Sequence, residues 1–262
     1  MNGGKIVYVP IRPPAAEYTH SASEWKLDSA ELESKCGPKT KMIVLNTPHN
    51  PLGKMFSKEE LKEIGRIAMK HDLIIVSDEV YDRLDYEPHH RIATLSPELS
   101  SRTITVGSAG KTFGCTGWRI GWLIGEPHLI KYAAAANTRV VFSCVSPLQE
   151  AVAVAFEQAD EHGYYDKTVA AYQERMKTLN KVWDELGLPV WTLISFGDLI
   201  LVHGPSRRIF CNGEYRKSQD AKGLSCPRTC YERTSQGFCN VILVDQGNWC
   251  RRYVFNLTSR NN

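Results

Sequence analysis

Four short apolar runs, each followed by polar residues, constrain the fold of this chain more than any other sequence feature. The runs are almost continuously apolar rather than alternating, as is typical of strands that helices cover on both faces. They lie at residues 42–45, 73–76, 103–107 and 120–125. Because amphipathic helical segments accompany them, the pattern predicts an α/β protein with a mainly parallel sheet. The last run follows its predecessor too closely for a helical crossover, so we expect it to pair antiparallel.

The helical segments carry start and stop signals. Ser57 and Glu60 form a capping-box pattern, and they precede a helix with Leu61, Ile64 and Ala68 on one apolar face. Residue types that cap or end a helix mark the other predicted elements. These elements are a strand at 5–9, one or two helical turns at 28–35 capped by Asp28, a helix from 146 to about 158 capped by Ser146, and a helix from 164 to 186 ended by Gly187.

The length, composition and net charge limit the classes of protein to which this chain can belong. The chain has 262 residues, of which 42% are hydrophobic, and this is enough for one large globular domain. A net charge of +3 is too small to indicate nucleic acid or an anionic membrane as the main partner. No apolar run approaches the length of a membrane span. Residues 1–9 match neither a secretory signal nor a transit peptide, so we expect a cytoplasmic or mitochondrial protein.

Three of the apolar runs lead directly into polar or basic residues. Residues 46–50 follow the first run, Ser77 and Asp78 end the second, and residues 107–111 follow the third. Ligands of open α/β sheets bind beyond the carboxyl ends of the strands. The sequence therefore predicts a site at one edge of the sheet, built from an amide, a carboxylate, a hydroxyl and a lysine.

Four ordered segments carry a resemblance to a known family. They are Asn46-Thr47-Pro48-His49-Asn50-Pro51-Leu52-Gly53, Ser77-Asp78-Glu79-Val80-Tyr81, Ser108-Ala109-Gly110-Lys111-Thr112-Phe113 and Gly117-Trp118-Arg119-Ile120-Gly121. Over residues 1–190 the chain resembles the class I/II pyridoxal-phosphate aminotransferases, and it is most similar to their kynurenine aminotransferase and cysteine-S-conjugate β-lyase branch. The resemblance implies a three-layer αβα large domain with a mainly parallel sheet, incomplete at its N-terminus.

Asp78 and Lys111 match the two principal positions of that family. The resemblance implies that Lys111 holds pyridoxal 5'-phosphate as a Schiff base and moves a proton, and that Asp78 stabilises the protonated ring nitrogen. Taken alone, Asp78 is equally consistent with a helix N-cap, and Lys111 with a solvated surface lysine. The flanking glycines at 107, 110 and 114 favour the site, since we expect them to allow a ligand to approach the backbone closely.

Four further positions match residues that bind the cofactor. The resemblance implies that Ser108 and Arg119 bind the phosphate, and that Asn50 and Tyr81 hydrogen-bond the phenolic oxygen, with Tyr81 also counted as catalytic. Each has an alternative on its own: a turn for Ser108, an ion pair elsewhere for Arg119, an Asx-turn for Asn50 and a half-buried aromatic for Tyr81. No His, Cys and Asp spacing within residues 1–190 suggests a metal.

The resemblance implies a transaminase that moves an amino group from a kynurenine-like, aromatic or sulfur-containing L-amino acid to a 2-oxo acid, as a homodimer. Two alternatives stay open. A β-substituted substrate gives cysteine-S-conjugate β-lyase activity from the same carbanion. Alternatively, the chain is a non-catalytic remnant, because segments that complete the family's site have no counterpart in it.

The chain divides in two on these grounds. Residues 1–187 match the large-domain core, whereas residues 188–262 match nothing in the family and are expected to be disordered or mistranslated. Five of the eight cysteines fall in the last 52 residues. A zinc-binding appendage is the competing interpretation, using the cysteines at 226, 230, 239 and 250. The ten-residue separation of the second pair makes it a poor zinc site.

Overall fold

A mixed four-stranded sheet is the centre of the computed structural model, which describes residues 4–13, 22–86, 88–185, 199–202 and 208–211. Within these residues the strands are β1 (Ile11–Arg12), β2 (Lys26–Leu27), β3 (Met42–Asn46), β4 (Ile74–Asp78), β5 (Thr103–Ser108), β6 (Gly121–Ile124), β7 (Leu199–Val202) and β8 (Arg208–Cys211). The α-helices are α1 (Ser29–Ser34), α2 (Lys58–Lys70), α3 (Pro97–Ser100), α4 (Ala109–Thr112), α5 (Pro127–Val140), α6 (Ser146–Ala159) and α7 (Tyr164–Glu185).

The central sheet has the order β3-β4-β5-β6. β3, β4 and β5 are parallel, and β6 pairs antiparallel with β5. The predicted α/β class and the predicted antiparallel direction of the last strand are therefore confirmed. Register places Asn46 beside Asp78, and Asp78 beside Val106. The carboxyl ends of the three parallel strands thus meet at one edge.

Helices cover both faces of this sheet. Ile75 of β4 lies in a core cluster with Leu61 and Ile64 of α2. The next residue, Val76, packs with the cluster that Tyr172 of α7 contacts. Because consecutive strand residues point to opposite faces, α2 and α7 lie on opposite sides of the sheet, and the arrangement has three layers.

α2 begins with the capping box that its sequence predicts. The Ser57 hydroxyl accepts a hydrogen bond from the Glu60 N–H at 3.2 Å, and the Glu60 carboxylate accepts one from the Ser57 N–H at 2.9 Å. Both halves of the predicted capping box are present. The predicted face of Leu61, Ile64 and Ala68 is buried.

The predicted cap of α1, Asp28, is also present. The Asp28 carboxylate accepts hydrogen bonds from the Ala30 and Glu31 N–H groups at 2.9 and 3.0 Å.

Two predicted details are wrong. Residues 5–9 have no regular secondary structure, and the short strand β1 lies further on. Ser146 is the first residue of α6 rather than its cap, which is Val145. Pro147 then takes the second helical position, and the Gln149 side chain donates to the Cys144 carbonyl at 3.0 Å.

The far C-terminal part is described in two strands only. β7 and β8 pair antiparallel, with Leu199 opposite Cys211. The predicted helix stop at Gly187 and the four cysteines of the zinc interpretation lie outside the described residues. In the part of the chain that the structure describes, no helix is long and apolar enough to cross a membrane.

Candidate active site

Asn46 joins the ends of β3 and β4 at the predicted edge. Its side-chain amide donates to the Asp78 carbonyl at 3.2 Å, and the Thr47 N–H donates to the same carbonyl at 3.0 Å. The Asn46 side-chain oxygen accepts a hydrogen bond from the Asn50 N–H at 2.7 Å. Asn46 therefore fixes the start of the loop that carries Asn50, relative to the strand that carries Asp78.

Asn50 and Tyr81 come together as the sequence predicts. The Asn50 side-chain amide donates to the Tyr81 hydroxyl at 3.1 Å, although 31 residues separate them. The Tyr81 side chain is only 4% exposed and packs with Val80, Leu84 and Val106. The Tyr81 hydroxyl, held by a side chain packed in the core, and the Asn50 amide from the loop therefore lie side by side.

Lys111 lies next to this pair. Its Nζ is 5.4 Å from the centroid of the Tyr81 ring. The side chain is half-buried, and it makes no hydrogen bond or ion pair with the residues that the structure describes. A half-buried amine that no hydrogen bond or close ion pair occupies is suited to act as a nucleophile.

Asp78 is the half-buried carboxylate of the site. Burial raises the pKa of its carboxyl above the ordinary value, and the Glu79 charge raises it further. The Val80 N–H, which donates to Oδ1 at 3.3 Å, and the Lys111 charge both lower that pKa. A cation placed next to Asp78 would offset the cost of burial and hold the carboxylate in its charged form.

Ser108 and Arg119 lie on two segments that a backbone hydrogen bond joins. Ser108 precedes α4, yet its hydroxyl makes no capping hydrogen bond. The exposed Arg119 guanidinium donates to the Thr116 carbonyl at 3.0 Å, and its backbone is left-handed at φ 58°. The Ala109 N–H donates to the Ile120 carbonyl at 3.1 Å, and this bond keeps the two segments adjacent.

Two of the three glycines around Lys111 have other protein atoms close to them, and the third has open space. A Cβ on Gly107 would lie 2.1 Å from the Trp122 indole nitrogen, and one on Gly110 would lie 2.9 Å from the Thr116 Cα. Both positions are therefore filled by the protein itself. Gly114 adopts φ 67°, which glycine tolerates, and has open space around it, so the close approach of a ligand stays a prediction at this position.

Two residues, one at the end of β3 and one in the loop after it, have contacts that the sequence pattern does not predict. The sequence indicates Asn46 as the first residue of the matching segment 46–53, but not its hydrogen bond to the Asp78 carbonyl, which follows from its place level with Asp78 at a strand end. His49 is the other residue. Burial, together with a smaller effect of the Lys54 charge, lowers the pKa of the His49 imidazole to about 4. The ring is therefore neutral near pH 7, and it accepts a hydrogen bond from the Leu52 N–H at 3.4 Å.

The side chains present fit the cofactor that the resemblance implies. An unpaired amine and a half-buried carboxylate would meet an aldehyde and a ring nitrogen. The amide–phenol pair would meet a phenolic oxygen, while an uncommitted hydroxyl and an exposed guanidinium would meet a phosphate. The edge of the sheet thus offers one group for each polar feature of pyridoxal phosphate.

Comparison with known proteins gives one consistent family. The model for aminotransferase class I and II matches residues 1–208. The chain is 48% identical over 191 residues to the probable kynurenine–oxoglutarate transaminase BNA3 of Saccharomyces cerevisiae, covering 71% of this chain and 43% of that protein. It is 42% identical over 196 residues to the human kynurenine–oxoglutarate transaminase 3, covering 72% of this chain and 43% of that protein. The chain thus spans less than half the length of these relatives.

Solved structures agree with the sequence comparison. Bna3p from Saccharomyces cerevisiae superposes with a TM-score of 0.73 at 46% identity, covering 76% of this chain and 48% of that one. The N-succinyldiaminopimelate aminotransferase of Mycobacterium tuberculosis superposes with a TM-score of 0.63 at 32% identity, covering 68% and 46%. The incomplete three-layer fold is therefore that of the large domain in these structures.

Proposed function

Because this chain belongs to the aminotransferase class I and II family, we propose that it binds pyridoxal 5'-phosphate and transfers an amino group from an L-amino acid to a 2-oxo acid. One observation carries the proposal. The unpaired Lys111 amine lies 5.4 Å from the ring of Tyr81, at the sheet edge where Asp78 ends its strand. An amine, a phenol and a half-buried carboxylate at one strand edge are the groups that such a cofactor needs.

Each site residue has a distinct task in this proposal. The bound cofactor would withdraw electrons from the substrate α-carbon and so make its proton acidic. Lys111 would hold the cofactor's aldehyde carbon, and its amine would accept the proton that leaves the substrate α-carbon. Asp78 would keep the ring nitrogen protonated, since a cation at that place stabilises its half-buried carboxylate.

The remaining residues would bind and orient the cofactor. Asn50 and Tyr81 would hydrogen-bond its phenolic oxygen, using the pair of groups that now contact each other at 3.1 Å. Ser108 and Arg119 would bind the phosphate through a hydroxyl and a guanidinium. Arg119 would need to rotate away from the Thr116 carbonyl to do so, and its exposed side chain is free to move.

The amino donor that we propose is kynurenine or a similar aromatic or sulfur-containing amino acid. The similarity to transaminases named for kynurenine and oxoglutarate supports this choice. We also propose a homodimer. Exposed apolar side chains at the end of α5 and in the segment after it support it, with Val140 83% and Phe142 78% exposed. A cytoplasmic or mitochondrial location stays a prediction.

The proposal is tested with purified chain, pyridoxal phosphate, kynurenine and 2-oxoglutarate, with glutamate formation as the measurement. Lys111→Ala removes the nucleophile and the proton carrier, so the rate should fall by at least about a thousandfold. Lys131→Ala is the matched control, because Lys131 is an exposed lysine of α5 whose Nζ likewise lies close to a tyrosine ring, 4.8 Å from that of Tyr132. That variant should keep the rate of the unsubstituted chain.

Two outcomes would contradict the proposal. One is glutamate formation that Lys111→Ala leaves intact, and the other is a folded chain that neither binds pyridoxal phosphate nor forms glutamate. A chain that binds the cofactor and transfers amino groups only from other amino acids would retain the family reaction and exclude kynurenine as the donor.

A further inference from the structure

A buried charged cluster lies behind the turn that carries Tyr81. The Glu79 side chain is only 1% exposed, although it is ionisable. The Ser77 hydroxyl donates to its Oε1 at 2.8 Å, and the His89 Nε2 lies 3.0 Å from its Oε2. The Arg91 Nε lies 3.4 Å from the same oxygen. A carboxylate buried this deeply persists only because these partners replace its water.

Arg91 contacts a second carboxylate at the other side of the turn. A terminal nitrogen of its guanidinium donates to the Asp82 Oδ2, while its Nε faces Glu79. Glu79 and Asp82 flank Val80 and Tyr81 in the chain. One rigid guanidinium therefore ties together the two ends of a four-residue segment with the site phenol inside it.

The backbone of this segment forms a tight turn. The Asp82 N–H donates to the Glu79 carbonyl at 3.0 Å, and the Leu84 N–H donates to the Tyr81 carbonyl at 2.9 Å. Burial raises the pKa of the Asp82 carboxyl, and the Arg91 charge is the largest effect that lowers it. Without Arg91, the buried Glu79 carboxylate and the part-buried Asp82 carboxylate would both lose a cationic partner, and the turn would open to solvate them.

We infer that Arg91 is a positioning residue for Tyr81, acting through the carboxylates of Glu79 and Asp82. The inference rests on the proposed function, because it concerns the orientation of the phenol that would hydrogen-bond the cofactor. Arg91 lies ten residues beyond Tyr81, and the ion pairs that its guanidinium makes among the described residues are with Glu79 and Asp82. Its effect on the reaction is therefore indirect and depends on the geometry of the turn.

The shape of the guanidinium explains why this position holds arginine. Two nitrogens of the planar guanidinium contact two different carboxylates at a fixed relative orientation, whereas a lysine ammonium is a single point of charge. Arg91→Lys keeps the cation and should lose part of the constraint on the turn. Arg91→Met keeps most of the apolar stem and removes both polar contacts.

The first measurement is hydrogen exchange of the Asp82 and Leu84 amides in the full chain without cofactor. In Arg91→Met these amides should exchange about tenfold faster, since the turn opens more often. The control is Arg102→Met, because Arg102 also joins two segments, with contacts to Asp72 at 3.3 Å and to the Leu73 carbonyl at 3.1 Å. In that control the two amides should keep their rates.

The second measurement is the pH dependence of the visible absorbance of bound pyridoxal phosphate. Arg91→Met should shift its midpoint in the same direction as Tyr81→Phe, because both weaken the contact of the phenol with the phenolic oxygen. A residue that only stabilises the fold would lower the free energy of unfolding and leave that midpoint unchanged.

The outcomes separate this inference from the proposed function. If the unsubstituted chain gives no cofactor absorbance, the proposed function fails, and the exchange rates alone decide whether Arg91 orders the turn. Unchanged exchange in Arg91→Met would overturn the inference, as would an equal rise in Arg102→Met or an unmoved midpoint in a chain that binds the cofactor. If Arg91→Met does not fold, the same criteria apply to Arg91→Lys, with about threefold faster exchange expected.

Discussion

Replacing Gly107 by alanine tests the packing that brings β5 and β6 together next to the site. Gly107 is directly opposite Trp122 in the antiparallel pair, and the Trp122 indole lies over it. An added Cβ would lie 2.1, 2.2 and 2.5 Å from three indole atoms. No side chain tolerates contacts this short, so the indole must move.

The loss in the free energy of unfolding follows from the contacts that the Trp122 indole would lose when it moves. The Trp122 ring packs edge-on against Phe156, with centroids 5.3 Å apart. Overpacking of a core costs about 1–3 kcal/mol, and an aromatic pair of this kind contributes about 0.5–1.5 kcal/mol. Alanine is otherwise better than glycine in a strand by about 0.5–1 kcal/mol. We expect Gly107→Ala to lower the free energy of unfolding by about 2 kcal/mol.

Urea-induced unfolding, followed by far-ultraviolet circular dichroism, measures this loss. Gly37→Ala is the matched control, because an added Cβ there has no atom within 4 Å. It should leave the stability unchanged or raise it slightly. In a Trp122→Leu background the obstacle is gone, so Gly107→Ala should there be neutral or stabilising.

The reasoning would be refuted by a Gly107→Ala chain as stable as the unsubstituted one. It would also be refuted if the loss had the same size with and without the Trp122→Leu substitution. Either result would mean that the indole does not occupy the space above Gly107.

Two further predictions concern the loop after β3 and the helix that follows it. Ser57→Ala removes the acceptor for the Glu60 N–H and should lower the free energy of unfolding by about 1 kcal/mol in urea titrations; a value within error of the unsubstituted chain would contradict the capping box. Folding lowers the pKa of His49 from 6.5 to about 4, so between these values the unfolded chain binds more protons and stability falls as the pH falls. His49→Gln should reduce this fall by about 2–3 kcal/mol in unfolding titrations at pH 7 and pH 4, and an equally steep fall would refute the assignment.

The parts of the fold that the sequence predicts are those with local causes. The Ser57 capping box needs only residues three positions apart, and it formed as expected. The antiparallel direction of β6 followed from the short connection before it. The pairing of Asn50 with Tyr81 was expected from the family resemblance, and the parallel strands explain it, because they bring their carboxyl ends to one edge.

The parts that the sequence missed depend on distant partners. Gly107 was expected to make room for a ligand, but Trp122 fills that room, and only the β5–β6 register reveals it. No sequence pattern indicated a role for Arg91, because that role depends on two carboxylates that a turn brings close to it. The predicted cap of α6, Ser146, lies one residue after the observed cap, Val145, and helix ends commonly differ by one or two residues between assignments.

The most direct test of the central claim is to find the lysine that binds pyridoxal phosphate. The chain is incubated with the cofactor, reduced with borohydride and digested, and the peptides are mapped by mass spectrometry. The account predicts one stoichiometric adduct on the peptide that contains Lys111, which is absent from Lys111→Ala. An adduct spread over exposed lysines such as Lys131, or a stoichiometric adduct at any residue other than 111, would contradict it.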